Sequence, residues 1–426
     1  MWSWNAIALA CLLAPGEPSQ GWTNWRGPRF DGAIEVGKLP QDFGEDQYLV
    51  WKTMLPGPGS ATPIVWGSRI FLNTIDLETK KLFALCADRE SGRLLWKFEV
   101  GEGKLPSGRS RGRENYMTGP SAVTDGATVC FLFGTGDLLG FDLDGELLWR
   151  TNVTPDTGRF IINWGYASSP LLRDGILYVQ ILHRAESYLM AFDSGTGEQL
   201  WKHVRENQAK EESQEAYTTP IPFHNEGRTE ILVLGADCLT AHDPETGREL
   251  WRWCGMNPQN HGHMRQVCNP TVGKDGFIYL TSPQHNPIRA IKVKGDQVWE
   301  EWTLSRPTPD VPGLLYYRDR LYSVDGANSR MACLNPETGE VIWQSRLDTP
   351  TFIRTSPTGS DGKIFLMDAE GQVVVLAAGD EFKVLARNEL GSYPSRSSIV
   401  PDNGHLLIRT AAALYCFGEQ DEQDEE

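Results

Sequence analysis

Residues 193–201 read Asp193-Ser-Gly-Thr-Gly197-Glu-Gln-Leu-Trp201, a tight turn followed by the start of a strand. The Asp side chain accepts hydrogen bonds from backbone N–H groups of the turn, and Gly197 supplies the positive φ that the turn needs. Trp201 then lies on the returning strand. Its side chain can bury about 150–250 Å² against a neighbouring unit, an upper estimate of roughly 4–6 kcal/mol.

The same turn recurs along the chain. Asp88–Trp96 and Asp243–Trp251 repeat its spacing, Asn335–Trp343 has Asn in place of Asp, and Asp142–Trp149 is one residue shorter. The tryptophans that end these turns, with Trp299, are 44 to 53 residues apart. We therefore predict that one set of tryptophans is structural, comprising Trp51, Trp96, Trp149, Trp201, Trp251, Trp299 and Trp343.

A second marker of the repeat is a small residue followed by Pro at the start of an alternating apolar strand. It occurs at residues 62–63, 119–120, 169–170, 219–220, 269–270 and 356–357, with weaker copies at 311–312 and 398–399. Proline is tolerated at the first residue of a strand, where the missing N–H costs little. Eight units of four short antiparallel strands predict an all-β, eight-bladed β-propeller.

The last unit lacks its Trp strand, since only Gly418 and a tail of Glu, Asp and Gln follow Phe417. Residues 48–55 contain Trp51 and fit the missing strand, so we predict that this N-terminal strand completes blade eight and closes the ring. Closure removes an edge that would otherwise be open to aggregation. Blade seven departs from the repeat, with Leu385 at the expected Trp position.

The termini and composition suggest an exported protein. The apolar run 6–14 is too short to span a bilayer and fits a signal peptide at residues 1–21, although no Lys or Arg precedes Arg26. We expect an N-terminal arm at 22–47, a single propeller at 48–418 and an acidic tail at 419–426. The formal net charge of −16 argues against nucleic-acid binding, and no stretch reads as a transmembrane helix.

The chain has eight cysteines, and two groups of them are interpreted differently. Cys86, Cys333 and Cys416 stand where other repeats have Gly or Ala, which predicts a tight buried position filled by a small apolar side chain. Cys254 and Cys268 bracket an irregular segment, and they are the pair we would test for a disulfide.

The Asp-x-x-x-Gly-x-x-x-Trp hairpins resemble the tryptophan-docking repeats of pyrroloquinoline-quinone (PQQ) dehydrogenases. They also resemble those of the propeller lipoprotein of the outer-membrane assembly machinery. The segments Asn24–Gly32 and Glu381–Asn388 resemble segments of exported planctomycete propellers. The resemblance covers residues 22–418 and implies the fold more than a function, because one fold hosts many functions.

The resemblance to quinone dehydrogenases does not extend to their active site. Those enzymes carry a vicinal Cys–Cys pair and acidic and Asn ligands for calcium, and this chain has no adjacent cysteines. We therefore expect no cofactor and no catalytic residues. A PQQ- and calcium-dependent oxidoreductase is the alternative function. His261 and His263 are weak candidates for a metal site, flanked by Cys and Met residues that suit copper or zinc.

The segments before the strand-opening positions should surround one mouth of the channel. They carry arginines and aromatic residues in an acidic protein, which suggests a focused anion site, although local acids such as Glu215 could instead neutralise them. We predict an exported, non-enzymatic binding or scaffold protein, monomeric, whose ligand is a protein, an anionic small molecule or a glycan. The predicted ligand-binding residues are Arg113, Asn115, Tyr166, Arg265, Arg354 and Arg396.

Overall fold

The computed structural model describes residues 21–104, 117–156, 158–281, 287–391 and 395–419. Its strands form eight separate four-stranded antiparallel sheets. The predicted fold, an all-β propeller of eight blades, is confirmed. The described residues also include one short 3-10 helix, Glu211–Gln214.

Each of the first seven blades runs from the channel outward in chain order. The inner strands are β2 (Ile64–Trp66), β6 (Val123–Thr124), β10 (Leu171–Arg173), β14 (Ile221–Asn225), β18 (Thr271–Val272), β22 (Leu315–Tyr317), β26 (Thr358–Ser360) and β30 (Val400–Asp402). The second strands are β3 (Arg69–Ile75), β7 (Val129–Leu132), β11 (Ile176–Ile181), β15 (Arg228–Gly235), β19 (Phe277–Leu280), β23 (Arg320–Asp325), β27 (Lys363–Met367) and β31 (His405–Arg409). Both sets are largely buried, so the core lies between the blades and around the channel.

The third strands are β4 (Lys81–Asp88), β8 (Asp137–Phe141), β12 (Tyr188–Asp193), β16 (Cys238–His242), β20 (Ile288–Lys294), β24 (Arg330–Leu334), β28 (Gln372–Ala377) and β32 (Ala413–Gly418). The outer strands of blades one to seven are β5 (Leu94–Glu102), β9 (Leu147–Asn152), β13 (Gln199–Val204), β17 (Glu249–Trp253), β21 (Gln297–Leu304), β25 (Val341–Arg346) and β29 (Val384–Glu389). The outer strand of blade eight is β1 (Leu49–Met54), which pairs antiparallel with β32. Closure of the ring by the N-terminal strand is thereby confirmed.

In most blades the tryptophan lies against the turn of the next blade, whereas the Trp251 indole donates to Glu230 of its own blade. The Trp149 indole N–H donates to the backbone carbonyl of Ser194 at 2.7 Å. Gly197 of that turn has φ +72°, and a Cβ there would lie 2.5 Å from the Trp149 ring. Glycine is therefore required both by the turn and by the close approach of the indole.

A small residue lies directly opposite the tryptophan across the two outermost strands of a blade. Cys86 pairs with Trp96, Gly140 with Trp149, and Cys416 with Trp51. A Cβ on Gly140 would lie 2.3 Å from the indole. The interpretation of these cysteines as small buried fillers is confirmed, and burial raises the pKa of the Cys86 thiol to about 12.

Two predicted Trp positions are wrong. In blade five, Ala290 pairs with Trp302, whereas Trp299 lies three residues earlier and is 38% exposed. The reason is a longer hairpin, because β20 and β21 stay paired as far as Lys294 and Gln297. In blade seven, a bulge skips Leu385, and Ala386 occupies the Trp position opposite Val375.

The N-terminal arm crosses the channel. The Trp22 carbonyl accepts from Val65 N–H of blade one, and the Asp31 carbonyl accepts from Tyr316 N–H of blade six. Between them, Arg26 is fully buried and donates to the Leu314 carbonyl at 2.7 Å. Burial lowers the pKa of Arg26 to about 10. The arm thus links the inner strands of blades one and six.

The disulfide joins Cys238 to Cys254, and the predicted pair of Cys254 and Cys268 is wrong. Cys254 directly follows β17, which pairs with β16, so it comes to lie opposite the first residue of that strand. The Cα atoms are 4.1 Å apart. Cys268 is a buried free thiol whose Sγ lies 3.2 Å from the Pro312 carbonyl oxygen of blade six.

Removing this disulfide should lower the free energy of unfolding by about 2–3 kcal/mol, because the bond closes a loop of roughly 15 residues in the unfolded chain. The change is Cys238→Ser with Cys254→Ser, followed by urea melts. Cys268→Ser is the matched control and should leave the oxidised bond intact. A non-reducing peptide map that links Cys254 to Cys268 would contradict the assignment.

Among the described residues, no helix is both long and apolar enough to cross a membrane.

Candidate functional site

A cavity of about 250 Å³ opens at the mouth formed by the segments that precede the inner strands. Residues from all eight blades and the arm line it, so the site depends on ring closure rather than on any one repeat. The lining includes Trp25, Thr62, Ser121, Trp164, Ser169, Tyr217, Thr219, Arg265, Asp310, Arg354, Ser356, Arg396 and Ser398.

A ring of hydroxyl side chains surrounds the deeper part of this cavity and links successive blades. The Oγ of Ser121 accepts from Thr62 N–H, and the Oγ of Ser169 accepts from Ser121 N–H, both at 2.9 Å. Thr219, Ser356 and Thr62 accept in the same way from Ser169, Gly313 and Ser398. We call Thr62, Ser121, Ser169, Thr219 and Ser356 the hydroxyl ring.

The second sequence marker was a small residue before Pro at the start of each inner strand. The hydrogen bonds of the hydroxyl ring show that this marker was assigned to the wrong residue in two blades. Ser121, which follows Pro120, occupies the position that Thr62 occupies before Pro63. In blade six this position is Gly313 rather than a residue of the 311–312 pair. The sequence signal for the ring was the Ser or Thr before proline, interpreted only as a strand start.

The structure brings three of the predicted arginines to the cavity, from three different blades. Arg265 lies 3.3 Å from a carboxylate oxygen of Glu212 and stacks over Trp164, 5.4 Å from the ring centroid. The Arg354 guanidinium stacks over Phe352, and within the described chain no carboxylate pairs with it. Arg396 lines the same cavity.

An acidic network supports the wall beside Arg265. Glu215 is fully buried and accepts from Arg184 at 2.6 Å and from the Tyr217 hydroxyl at 2.8 Å. The Tyr217 hydroxyl in turn accepts from Trp164 N–H. Burial, and next the charge of Glu215, raise the pKa of Tyr217, which therefore remains neutral. Glu215 thus neutralises Arg184, whereas Arg265 pairs with Glu212.

Tyr166, another predicted ligand-binding residue, does not line the cavity. Tyr166 is 3% exposed, its hydroxyl donates to the Gln180 carbonyl, and its ring stacks on Phe160. This prediction is wrong, because the side chain packs into the core beneath the mouth. Arg113 and Asn115 lie outside the described residues. Trp25, which the prediction omitted, reaches the cavity because the arm crosses the channel.

The two histidines considered for metal binding lie on an exposed loop. His261 Nε2 lies 2.7 Å from the amide oxygen of Gln259, and the His261 and His263 rings are 5.7 Å apart. Over the described ranges, no group of three His, Cys, Asp or Glu side chains is arranged to hold a metal ion.

The donor set of the cavity favours an anion over a calcium–quinone centre. Ca²⁺ takes six to eight oxygen ligands, commonly carboxylates. The lining supplies one carboxylate, Asp310, beside three arginines. The described residues therefore do not fit calcium, whereas guanidinium and hydroxyl donors suit an oxyanion.

Comparisons with known proteins agree with this architecture. The family model described as outer membrane protein assembly factor BamB matches residues 44–163, 88–252, 163–313 and 284–381. Outer membrane protein assembly factor BamB of Bordetella pertussis is 28% identical over 363 residues, covering 83% of this chain and 82% of that protein.

Solved structures share the fold. BamB from Moraxella catarrhalis superposes with a TM-score of 0.62 at 15% identity, covering 87% of this chain and 99% of that one. Quinohemoprotein alcohol dehydrogenase from Comamonas testosteroni superposes with a TM-score of 0.69 at 11% identity, covering 95% of this chain and 82% of that one. At these identities the likeness concerns the fold alone.

Proposed function

Because this chain belongs to the family described as outer membrane protein assembly factor BamB, we propose that it is an exported, non-enzymatic binding protein. In this proposal it holds its partner through the loops around the arginine-lined mouth. Export is supported by the Cys238–Cys254 disulfide, since structural disulfides persist in oxidising compartments.

The convergence of Arg265, Arg354 and Arg396 on one cavity carries the proposal. Like charges that share a narrow space repel unless acids or a ligand neutralise them. Glu212 pairs with Arg265, and Asp310 is the only carboxylate in the described lining. Arg354 has no carboxylate partner among the described residues, so an anionic group on a partner would add a counter-charge beside it at the mouth.

The absence of enzymatic activity is part of the same proposal. Among the described residues the lining holds no Ser–His or Cys–His pair, and these residues do not fit a calcium–quinone centre. The rigid ring instead presents side chains from many blades at one surface, which suits recognition without chemistry. The PQQ-dependent oxidoreductase remains the alternative that the experiment below must distinguish.

Replacing both Arg265 and Arg354 with alanine should weaken binding of citrate, a tricarboxylate, by about 10-fold or more, because each removes charge-assisted hydrogen bonds. Isothermal titration of the full chain measures the effect. Wild-type affinity should also fall as salt is raised, because the site is open to solvent.

The matched control also removes two arginines, but from the ends of the inner strands that lie away from the mouth. Arg173→Ala with Arg318→Ala should leave citrate affinity within about twofold. Equal losses in both double variants, or no salt-sensitive anion binding by wild type, would overturn the proposal. A bound-quinone spectrum with dye reduction, after incubation with PQQ and calcium, would favour the alternative.

A further inference from the structure

The hydroxyl ring has hydrogen-bonding capacity that the protein does not use. Each of its five oxygens accepts one backbone N–H from a neighbouring blade. Within the described chain, none of these hydroxyls donates its own proton to an acceptor. Their residues are only 2% to 6% exposed, and all five line the cavity.

Because these hydroxyls line the cavity, acceptors for their protons have to come from the cavity, so the ring favours a ligand that supplies oxygen acceptors. The backbone N–H groups hold each hydroxyl oxygen in place. The hydroxyl proton is not used in these bonds and can be donated to a ligand. The three arginines of the same lining add only donors. The cavity is therefore a site rich in donors, with Asp310 as the single carboxylate of its described lining.

We propose that the hydroxyl ring and the cavity arginines together bind a tetrahedral oxyanion, a sulfate or phosphate group. This inference rests on the proposed function and specifies the anionic group that the mouth accepts. A carboxylate has two oxygens and about four acceptor sites. A sulfate or phosphate group presents more acceptor oxygens in three dimensions, which matches donors placed around an axis rather than on one side.

Blade five shows how the chain can close a ring position to ligands. Asn269 stands at that position, and its Oδ1 accepts from Thr219 N–H at 2.9 Å. Its Nδ2 donates back to the Thr219 carbonyl at 3.1 Å, and Asn269 does not line the cavity. Asparagine thus keeps the contact between blades, and because Asn269 does not line the cavity it presents no donor there.

This contrast supplies the test variants. Ser169→Asn with Ser356→Asn should retain the backbone contacts, as Asn269 does, while removing two hydroxyl donors from the cavity. Sodium sulfate, sodium phosphate and sodium acetate are titrated into the full chain at one ionic strength. We expect wild type to bind sulfate and phosphate about 10-fold more tightly than acetate, and the double Asn variant to lose about 10-fold in sulfate affinity.

Two further variants separate binding from folding. Ser169→Ala with Ser356→Ala removes both the contact and the donor, and it provides the measurement if asparagine impairs folding. Ser187→Ala is the control, since this buried hydroxyl lies outside the cavity lining. The control should bind sulfate as wild type does, and melting curves verify that each variant is folded.

Equal affinity for sulfate and acetate would overturn the oxyanion site, as would unchanged sulfate binding in folded ring variants. In both cases the arginine-dependent citrate binding of the proposed function still stands, so the two failures are distinguishable. A parallel titration with glucose 6-sulfate identifies the source. Binding comparable to sulfate supports an ester on a larger partner, whereas binding of the inorganic ions alone supports a free anion.

Discussion

Replacing Trp302 with alanine is expected to lower the free energy of unfolding by about 3 kcal/mol, in the range of large-to-small core substitutions. Trp302 lies opposite Ala290, and its indole N–H donates to the Pro336 carbonyl of blade six at 2.9 Å. A Cβ on Gly339 of that turn would lie 2.6 Å from the indole. The substitution leaves a cavity between blades five and six, and urea melts measure its cost.

Trp299→Ala is the matched control, since it removes the same side chain from the same strand. Trp299 is 38% exposed and donates only to Glu301, two residues along the strand. Its replacement should change the free energy of unfolding by less than about 1 kcal/mol. A larger loss for Trp299→Ala than for Trp302→Ala would show that the pairing of β20 and β21 is shifted.

Deleting residues 22–56 should abolish the stable monomer. The deletion removes β1, so β32 is left as an exposed edge that favours aggregation. It also removes the arm, whose Trp22 is fully buried beside blade one and whose Arg26 donates to blades six and seven. Size-exclusion chromatography and thermal melts of the truncated chain measure the effect.

A synthetic peptide of residues 22–56, added during refolding, tests whether the effect arises at the open blade. We expect the peptide to restore soluble monomer, because its strand can pair again with β32. The same peptide with Trp51→Ala should restore less, since Trp51 lies opposite Cys416 and donates to the Arg89 carbonyl of blade one. An unchanged melting temperature after deletion would contradict closure by this strand.

The fold was predictable because its signals are local. An Asp or Asn that accepts turn N–H groups, a Gly with positive φ and a Trp on the next strand lie within nine residues of one another. Trp51 was assigned to blade eight because the repeat lacked one strand at its end. The errors in blades five and seven arose where local spacing changed, through a longer hairpin at Lys294 and a bulge at Leu385.

The candidate site was predictable only in part. Arg265, Arg354 and Arg396 were found because each precedes a strand start, and all strand starts of a closed ring meet at one mouth. Tyr166 has a similar sequence position, yet its side chain turns into the core toward Phe160. Sequence position defines the loop, whereas packing decides which way a side chain on that loop points.

The sequence by itself determined the eight repeats, the closure of the ring and the mouth at which the arginines meet. Each of these depends on residues close in the chain or on a count of strands. Tertiary structure alone decided that Cys238 pairs with Cys254, that Trp25 reaches the cavity, and that five hydroxyls keep a spare donor. These features depend on distances between blades, which arise only when the ring closes and brings remote residues within hydrogen-bonding range.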